Sequence, residues 1–124
     1  DLSYRAELED RHLEAIKTGT TPQARFAWRI LPYYCDFYEA RIGRWSASMH
    51  DPIAAGVFLD ESLVLEEVSR PMVVEPYLER YRAVGHDTPV AGREPIRIVT
   101  EADITRFLDG FVDALVSPLP ARAF

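Results

Sequence analysis

Two adjacent polar residues, His50 and Asp51, stand immediately before an almost wholly apolar segment, residues 52–59. An imidazole with an ordinary pKa of about 6.5 can donate a proton near neutrality. Pro52 predicts that a helix begins here, and Asp51 then falls at its N-cap. A helix that is apolar on nearly every face is predicted to be buried. The sequence therefore predicts an imidazole and a carboxylate at the entrance of a buried helix. A purely structural helix start is the alternative.

The segments around this pair form a recognisable order. An aromatic-rich helix ends near Tyr38, a loop containing Gly43 follows, and then come His50-Asp51-Pro52, the apolar helix, and Asp-Glu-Ser-Leu-Val at residues 60–64. This order resembles the C-terminal part of the inosine-uridine nucleoside hydrolase family. That family has a small-residue loop, His-Asp-Pro, a buried helix and an Asp-Pro-Ser-Leu-like exit. The resemblance covers the chain from Asp1 to about Leu115 and is most specific at His50-Asp51.

The resemblance implies a role for four residues. His50 corresponds to the acid that protonates the leaving base, and Asp51 to one ligand of a calcium ion. Tyr38 and, more weakly, Trp45 correspond to residues that contact the base of a nucleoside substrate. For Tyr38 an ordinary place in the core is the alternative.

Part of the family pattern is absent. The Asp-x-Asp-x-x-x-Asp-Asp motif that supplies most calcium ligands in the family does not occur in these 124 residues. Calcium takes six to eight oxygen ligands, so one carboxylate does not hold it. We therefore expect a fragment that is inactive alone, and the absence of an initiator methionine also favours a fragment.

Composition limits the remaining function classes. The chain has 124 residues with 48% hydrophobic and 27% charged residues, which suits one folded domain spanning residues 1–124. A net charge of −6 argues against nucleic acid and anionic membrane surfaces. No apolar run is long enough to span a bilayer. The single cysteine, Cys35, suits a reducing compartment, so a cytoplasmic location is expected.

Periodicity predicts about four helices and a few strands. A first helix is expected over residues 8–18, and a second begins at Pro22, with Pro32 kinking or splitting it. Residues 72–81 read as one interrupted strand, residues 96–99 as a short strand, and residues 104–115 as a helix whose N-terminal capping box starts at Thr100. The predicted fold class is an α+β fragment of an α/β (parallel-sheet) hydrolase, mostly helical with a small antiparallel strand pair.

A stripe of apolar side chains on the second helix is expected to face inward: Phe26, Ile30, Tyr34 and Tyr38, with Leu31 and Cys35 beside them. Without the parallel sheet of the parent fold, such surfaces should remain exposed and favour a homo-oligomer. A non-catalytic interaction or oligomerisation module is thus one alternative function.

The other alternative is a metal-dependent phosphohydrolase of the His-Asp type. It would use His12, His50-Asp51 and Asp113, although Pro52 and the extended segments fit that helical family poorly. We expect His12 and the turn at His86-Asp87 to be solvated.

Overall fold

The computed structural model describes residues 2–77 and 80–118. The chain divides into two compact units, one made of the residues up to Leu63 and from Asp103 onward, the other of Val64–Ala102. The organisation of residues 1–124 as a single domain stays a prediction. Among the described helices, none is both long enough and apolar enough to cross a membrane.

The first unit is helical. Its elements are a 3-10 turn at Leu2–Arg5, then α1 (Asp10–Thr18), α2 (Pro22–Ile42), α3 (His50–Leu59), a 3-10 turn at Glu61–Leu63, and α4 (Ile104–Val116). Thr21 caps α2 as predicted, because its hydroxyl accepts from the backbone N–H of Ala24 at 3.0 Å. Pro32 does not split α2, which continues to Ile42 and ends at Gly43, where φ is 71°.

The buried face of α2 differs from the predicted stripe. Phe26 is 65% exposed and Ile30 is 53% exposed, so both predicted positions were wrong. The inward face instead follows the spacing three, four, four, three, through Ala24, Ala27, Leu31, Cys35 and Tyr38. Small alanines at the N-terminal end allow close approach, since they carry little side-chain volume. Phe26 and Ile30 therefore lie outside the buried face of this helix.

The prediction of a buried helix after His50 was also wrong. In α3 only Ile53 is buried, while Phe58 is 86% exposed and Leu59 83% exposed. The helix begins two residues earlier than predicted, at His50 instead of Pro52, with Met49 rather than Asp51 at the N-cap. Asp51 lies in the first turn, where a carboxylate is still favoured by the helix dipole.

The second unit is an antiparallel sheet of three strands, β1 (Val64–Tyr77), β2 (Arg80–Gly85) and β3 (Pro95–Ala102), in the order β2-β1-β3. The predicted single strand over residues 72–81 is two strands, since Met72 pairs with Gly85 and Tyr77 with Arg80. The predicted extended residues Leu78 and Glu79 lie outside the described part of the chain. Pro76 suits its place, because that half of β1 pairs with β2 alone.

The prediction of a mostly helical chain with a small antiparallel sheet is confirmed, with three described strands instead of a pair. The predicted capping box starting at Thr100 was wrong. β3 continues through Ala102, and Asp103 itself caps α4 by accepting from the N–H of Arg106 at 3.0 Å.

Candidate functional site

The loop that leads to His50 is fixed by backbone pairing with the start of the chain. The N–H of Met49 donates to the carbonyl of Ala6 at 2.7 Å, and the N–H of Leu8 donates to that of Ala47 at 3.0 Å. The Ser46 hydroxyl adds a bond to the Leu8 carbonyl at 2.8 Å. These buried bonds hold the backbone immediately before His50 in one position.

Both ring nitrogens of His50 contact hydroxyl groups. Nε2 lies 2.7 Å from the Tyr38 Oη, and Nδ1 lies 2.9 Å from the Ser3 Oγ. The Tyr4 ring meets the imidazole edge-on, with 4.6 Å between ring centroids. Tyr38, one helical turn beyond Tyr34 on α2, also receives a hydrogen bond of 3.4 Å from the Tyr34 hydroxyl. A line of polar groups thus runs from Tyr34 through Tyr38 and His50 to Ser3.

Tyr34 is a member of this site that the sequence analysis assigned only to an apolar stripe. Burial, followed by the hydrogen bond with Tyr38, raises the pKa of Tyr34 to about 12. Its hydroxyl therefore keeps its proton at neutral pH and can donate it in a hydrogen bond. The four-residue spacing to Tyr38 was the available signal, since it places both phenols on one side of α2.

A cleft of about 680 Å³ opens beside this line of polar groups. Its walls come from α2, from residues 48–52 and from α4, and most of them are apolar: Phe26, Ala27, Ile30, Leu31, Met49, Pro52, Phe111 and Leu115. Tyr34, His50 and Asp51 supply polar groups to it, and Gln23 and Ser48 complete the lining. A mostly apolar cleft with a few converging polar groups is the usual form of a small-molecule site.

Asp51 lies on the cleft but is exposed. Among residues 2–77 and 80–118, no three His, Cys, Asp or Glu side chains converge to hold a metal ion. Calcium requires six to eight oxygens. The described residues alone therefore do not fit the calcium ion that the resemblance implies, and the role of Asp51 as one of its ligands stays a prediction.

Trp45 lies in a different place from the other predicted site residues. Its indole N–H donates to Asp36 at 2.7 Å, and its ring packs edge-on against Trp28 with 6.1 Å between centroids. It lines a smaller cavity of about 200 Å³ together with residues of α1. Tyr38 contacts His50, and both His50 and Asp51 line the cleft of about 680 Å³. Trp45 does not line that cleft. Base contact by Trp45 stays a prediction.

The prediction that His12 is solvated was wrong. His12 is only 2% exposed, its Nδ1 accepts from the N–H of Glu9 at 3.0 Å, and its Nε2 lies 3.0 Å from Asp109 on α4. That bond, together with one from Arg11, lowers the pKa of Asp109. His12 is thus a link between α1 and α4. No metal-holding group that joins it to His50 and Asp113 occurs within the described residues, so the phosphohydrolase alternative gains no support.

The turn at His86-Asp87 is only partly solvated. The N–H of His86 donates to the Pro71 carbonyl at 3.0 Å, and Asp87 forms an ion pair of 2.9 Å with Arg70. These bonds fasten the turn to β1. Asp87 keeps an exposed side chain, as expected for a turn.

Nucleoside hydrolases are among the proteins that this chain resembles in sequence and in fold. No family model matches the chain. The inosine-uridine preferring nucleoside hydrolase of Crithidia fasciculata is 31% identical over 67 residues, which are 54% of this chain and 21% of that protein. A plant nucleoside hydrolase, PpNRh1, has the same fold over 94% of this chain and 39% of its own, with a TM-score of 0.81 at 13% identity. The chain thus spans about a fifth to two fifths of the length of these proteins. The resemblance of this chain to the nucleoside hydrolase family is therefore confirmed, in sequence over about half of the chain and in fold over nearly all of it.

Proposed function

We propose that this chain is the C-terminal part of a nucleoside N-ribohydrolase, which cleaves purine or pyrimidine nucleosides to the free base and ribose. One observation carries the proposal: the hydrogen-bonded line Tyr34–Tyr38–His50 borders an apolar cleft of about 680 Å³. The likeness to nucleoside hydrolases in sequence and fold supports the same conclusion. We also propose that the complete protein contains a parallel sheet that these helices cover. The proposed location is the cytoplasm.

The reaction defines what the line of polar groups would do. Hydrolysis breaks the bond between the sugar and the base nitrogen, forms a bond from a water oxygen to the same sugar carbon, and places a proton on the departing base. A base leaves more easily as a neutral molecule than as an anion. His50 would supply that proton, since an imidazole can act as a general acid toward a leaving group.

The contacts of His50 suggest the route of the proton. Both of its ring nitrogens face hydroxyls, so direct donation to a base would require that one of these hydrogen bonds break. Tyr34 lines the cleft, whereas Tyr38 lies behind it, 8% exposed. Transfer from His50 through the Tyr38 hydroxyl to the Tyr34 hydroxyl would deliver a proton to the cleft without moving the imidazole. Tyr38 would thus act in proton transfer and not only in base contact.

The experiment removes His50 from the natural polypeptide that carries this chain. His50→Ala should lower the hydrolysis of inosine by about a hundred- to ten-thousand-fold, the usual value of general acid catalysis. A p-nitrophenyl riboside has a leaving group that needs little protonation, so the same variant should cleave it almost normally. His86→Ala is the matched control, since His86 also precedes an aspartate but lies on the sheet unit.

Two results would contradict the proposal. One is an unaltered polypeptide that releases no ribose from inosine or uridine. The other is a His50→Ala variant that loses as much activity on the p-nitrophenyl riboside as on inosine, since His50 would then not be the leaving-group acid. The pair His50-Asp51 would in that case be a structural helix entrance.

The 124-residue chain by itself should be inactive, because Asp51 is its single predicted calcium ligand. A purified sample mixed with inosine and calcium should release no more ribose than a blank without protein. Ribose release above that blank, lost in the His50→Ala variant, would show that this chain alone completes an active site.

A second candidate function, a non-catalytic oligomerisation module, is favoured by the exposed apolar side chains of the helical unit. Phe58 and Leu59 on α3 and Tyr33 on α2 are each more than four-fifths exposed. Large exposed apolar surfaces mark sites of association. In this function the chain would bind a second copy of itself, and its mass in solution tests it.

A further inference from the structure

We propose that the outer side of α2 is a contact surface for a second copy of this chain, with the two α2 helices packed antiparallel. The contact is separate from association through Phe58 and Leu59 of α3. It does not depend on nucleoside hydrolysis, so it can be tested on the chain itself.

The outer side of α2 carries four large apolar side chains, which are between 45% and 83% exposed. They are Phe26, Ile30, Tyr33 and Phe37, and we call them the outer seam. Their spacing of four, three and four residues is the heptad spacing by which two helices interlock their side chains. With 3.6 residues per turn, the four lie within about 60° of one another around the helix and extend about 16 Å along it. The outer seam is therefore a continuous apolar strip of the kind that pairs with another helix.

The outer seam is complementary to itself. A two-fold axis between Ile30 and Tyr33 would place Ile30 opposite Tyr33 of the second copy. The same axis would place Phe26 opposite Phe37 of the second copy. In such a contact each pair occurs twice, because residue i meets residue j and residue j meets residue i. Two antiparallel copies of α2 thus bring together apolar side chains at all four positions.

The charges beside the outer seam favour the antiparallel arrangement. Arg29 and Asp36 flank it on the same side, seven residues apart, so Arg29 would face Asp36 of the second copy, and the reverse pair would also form. Arg29 is exposed and has no hydrogen bond or ion pair within the described part of the chain. Asp36 accepts from the Trp45 indole through Oδ1, which leaves Oδ2 available to a second partner. Opposite charges would therefore meet at two places.

A parallel arrangement uses these charges less well. It would place Asp36 beside Arg41 of the second copy, and Arg29 beside Tyr34. The Arg41 guanidinium already lies over the Phe37 ring, 3.4 Å from its centroid. Arg29 would then remain without an acidic partner.

The contact is small, since each copy contributes four apolar side chains and two charges. Small interfaces form weak and transient complexes, so we expect a dissociation constant of about 0.1–1 mM. Phe26 and Ile30 also line the cleft of about 680 Å³. In the dimer, Tyr33 and Phe37 of the second copy would therefore extend the apolar wall of that cleft.

Sedimentation equilibrium of a chain carrying Phe58→Ser and Leu59→Ser tests the proposal, because these changes remove association through α3. This chain should be a monomer at about 10 µM and mostly a dimer at about 1 mM. Adding Tyr33→Ser should leave it a monomer throughout. Leu65→Ser is the matched control, since Leu65 is an exposed apolar residue of the sheet unit, and it should leave the dimer unchanged.

Charge reversal tests the orientation. In the same background, Arg29→Asp should weaken the dimer about three- to tenfold, because like charges would then face each other at two places. Asp36→Arg should weaken it for the same reason. An equal mixture of these two variants should dimerise as well as the starting chain, since every facing pair is again of opposite charge. Arg93→Asp changes the net charge equally on the sheet unit and should have no effect.

Three results would overturn the proposal. The first is a starting chain that stays a monomer up to about 1 mM. The second is a dimer that persists with Tyr33→Ser. The third is a mixture of the two charge variants that dimerises no better than either variant alone. None of these results bears on ribose release, so the proposed function and this contact can fail separately.

Discussion

His50 has hydrogen-bonding partners that suit two protonation states. Ser3 and Tyr38 each contact one ring nitrogen, and hydroxyl groups can both donate and accept. When the ring gains a proton, both nitrogens become donors and both hydroxyls can accept. The two hydrogen bonds to the ring can therefore persist in either protonation state, which suits the role of acid that we propose for His50.

Tyr34 leads to a prediction about stability at high pH. Its pKa is raised from an ordinary value near 10 to about 12, so above about pH 10 the unfolded chain loses the proton first. The contribution of this group to the free energy of unfolding is complete below about pH 10 and is lost as the pH rises through about 12. Urea unfolding across this range should show a steeper loss in the unaltered chain than in Tyr34→Phe. If the free energy of unfolding fell equally with pH in both proteins, the raised pKa of Tyr34 would be contradicted.

Sequence patterns identified part of this site and missed the rest for a physical reason. His50 and Tyr38 were predicted through a resemblance in local order, which the chain carries within twelve residues. Ser3 and the His12–Asp109 link depend on segments 47 and 97 residues apart, which no local pattern reports. Tyr34 was misread because an apolar stripe and a polar line can share one side of a helix when the side chains are tyrosines.

At the scale of elements, helix limits were predictable where capping residues determine them. Thr21, Pro22 and Gly43 set the ends of α2, each by its own backbone chemistry. Which face of a helix is buried was less predictable, because it depends on neighbouring elements. On α2 the alanines face the core and the larger apolar residues Phe26 and Ile30 border the cleft.

The prediction of one strand over residues 72–81 failed because this range belongs to two antiparallel strands. Residues 72–81 alternate in a way that suits one strand or two strands of a hairpin equally well, since the period of two is the same in both. The pairing of Met72 with Gly85 shows that the range contains two antiparallel strands. The register of β1 with β2 depends on contacts between the strands, so it cannot be predicted from the sequence of either strand alone.

The contact between α3 and α4 gives a prediction with an internal control. A Cβ on Gly56 would lie 2.7 Å from the Phe107 ring, whereas a Cβ on Gly110 of α4 would meet nothing within 4 Å. Overpacking costs about 1–3 kcal/mol, which outweighs the gain of up to about 1 kcal/mol from alanine in a helix. Gly56→Ala should lower the free energy of unfolding by about 1–2 kcal/mol. Gly110→Ala should raise it by about 0.5–1 kcal/mol.

Urea denaturation of both variants measures these changes. If Gly56→Ala were as stabilising as Gly110→Ala, the α3–α4 contact would be looser than its distances indicate. The comparison is fair because each glycine lies inside a helix and neither has a positive φ.

At the scale of the whole molecule, the candidate site lies in the helical unit and not in the sheet unit. Every residue of the cleft belongs to the helical unit. The sheet unit carries neither His50 nor any of its hydrogen-bond partners named above. We therefore expect substitutions on the sheet, such as Leu65→Ser, to leave the surroundings of His50 unchanged.

The exposed apolar surface of α3 predicts association in solution. Phe58 and Leu59 are 86% and 83% exposed, and burying such side chains contributes about 1.5–3 kcal/mol each. Sedimentation velocity at micromolar concentration should therefore give a mass of at least two chains of 14.1 kDa. Changing Phe58 and Leu59 together to serine should return the protein to a monomer, while Leu65→Ser, an exposed apolar position on the sheet, should not.

A compact monomer of the unaltered chain under these conditions would contradict both the predicted oligomer and the second candidate function. The hydrolase proposal would be unaffected, because the cleft beside His50 is lined by residues of one chain.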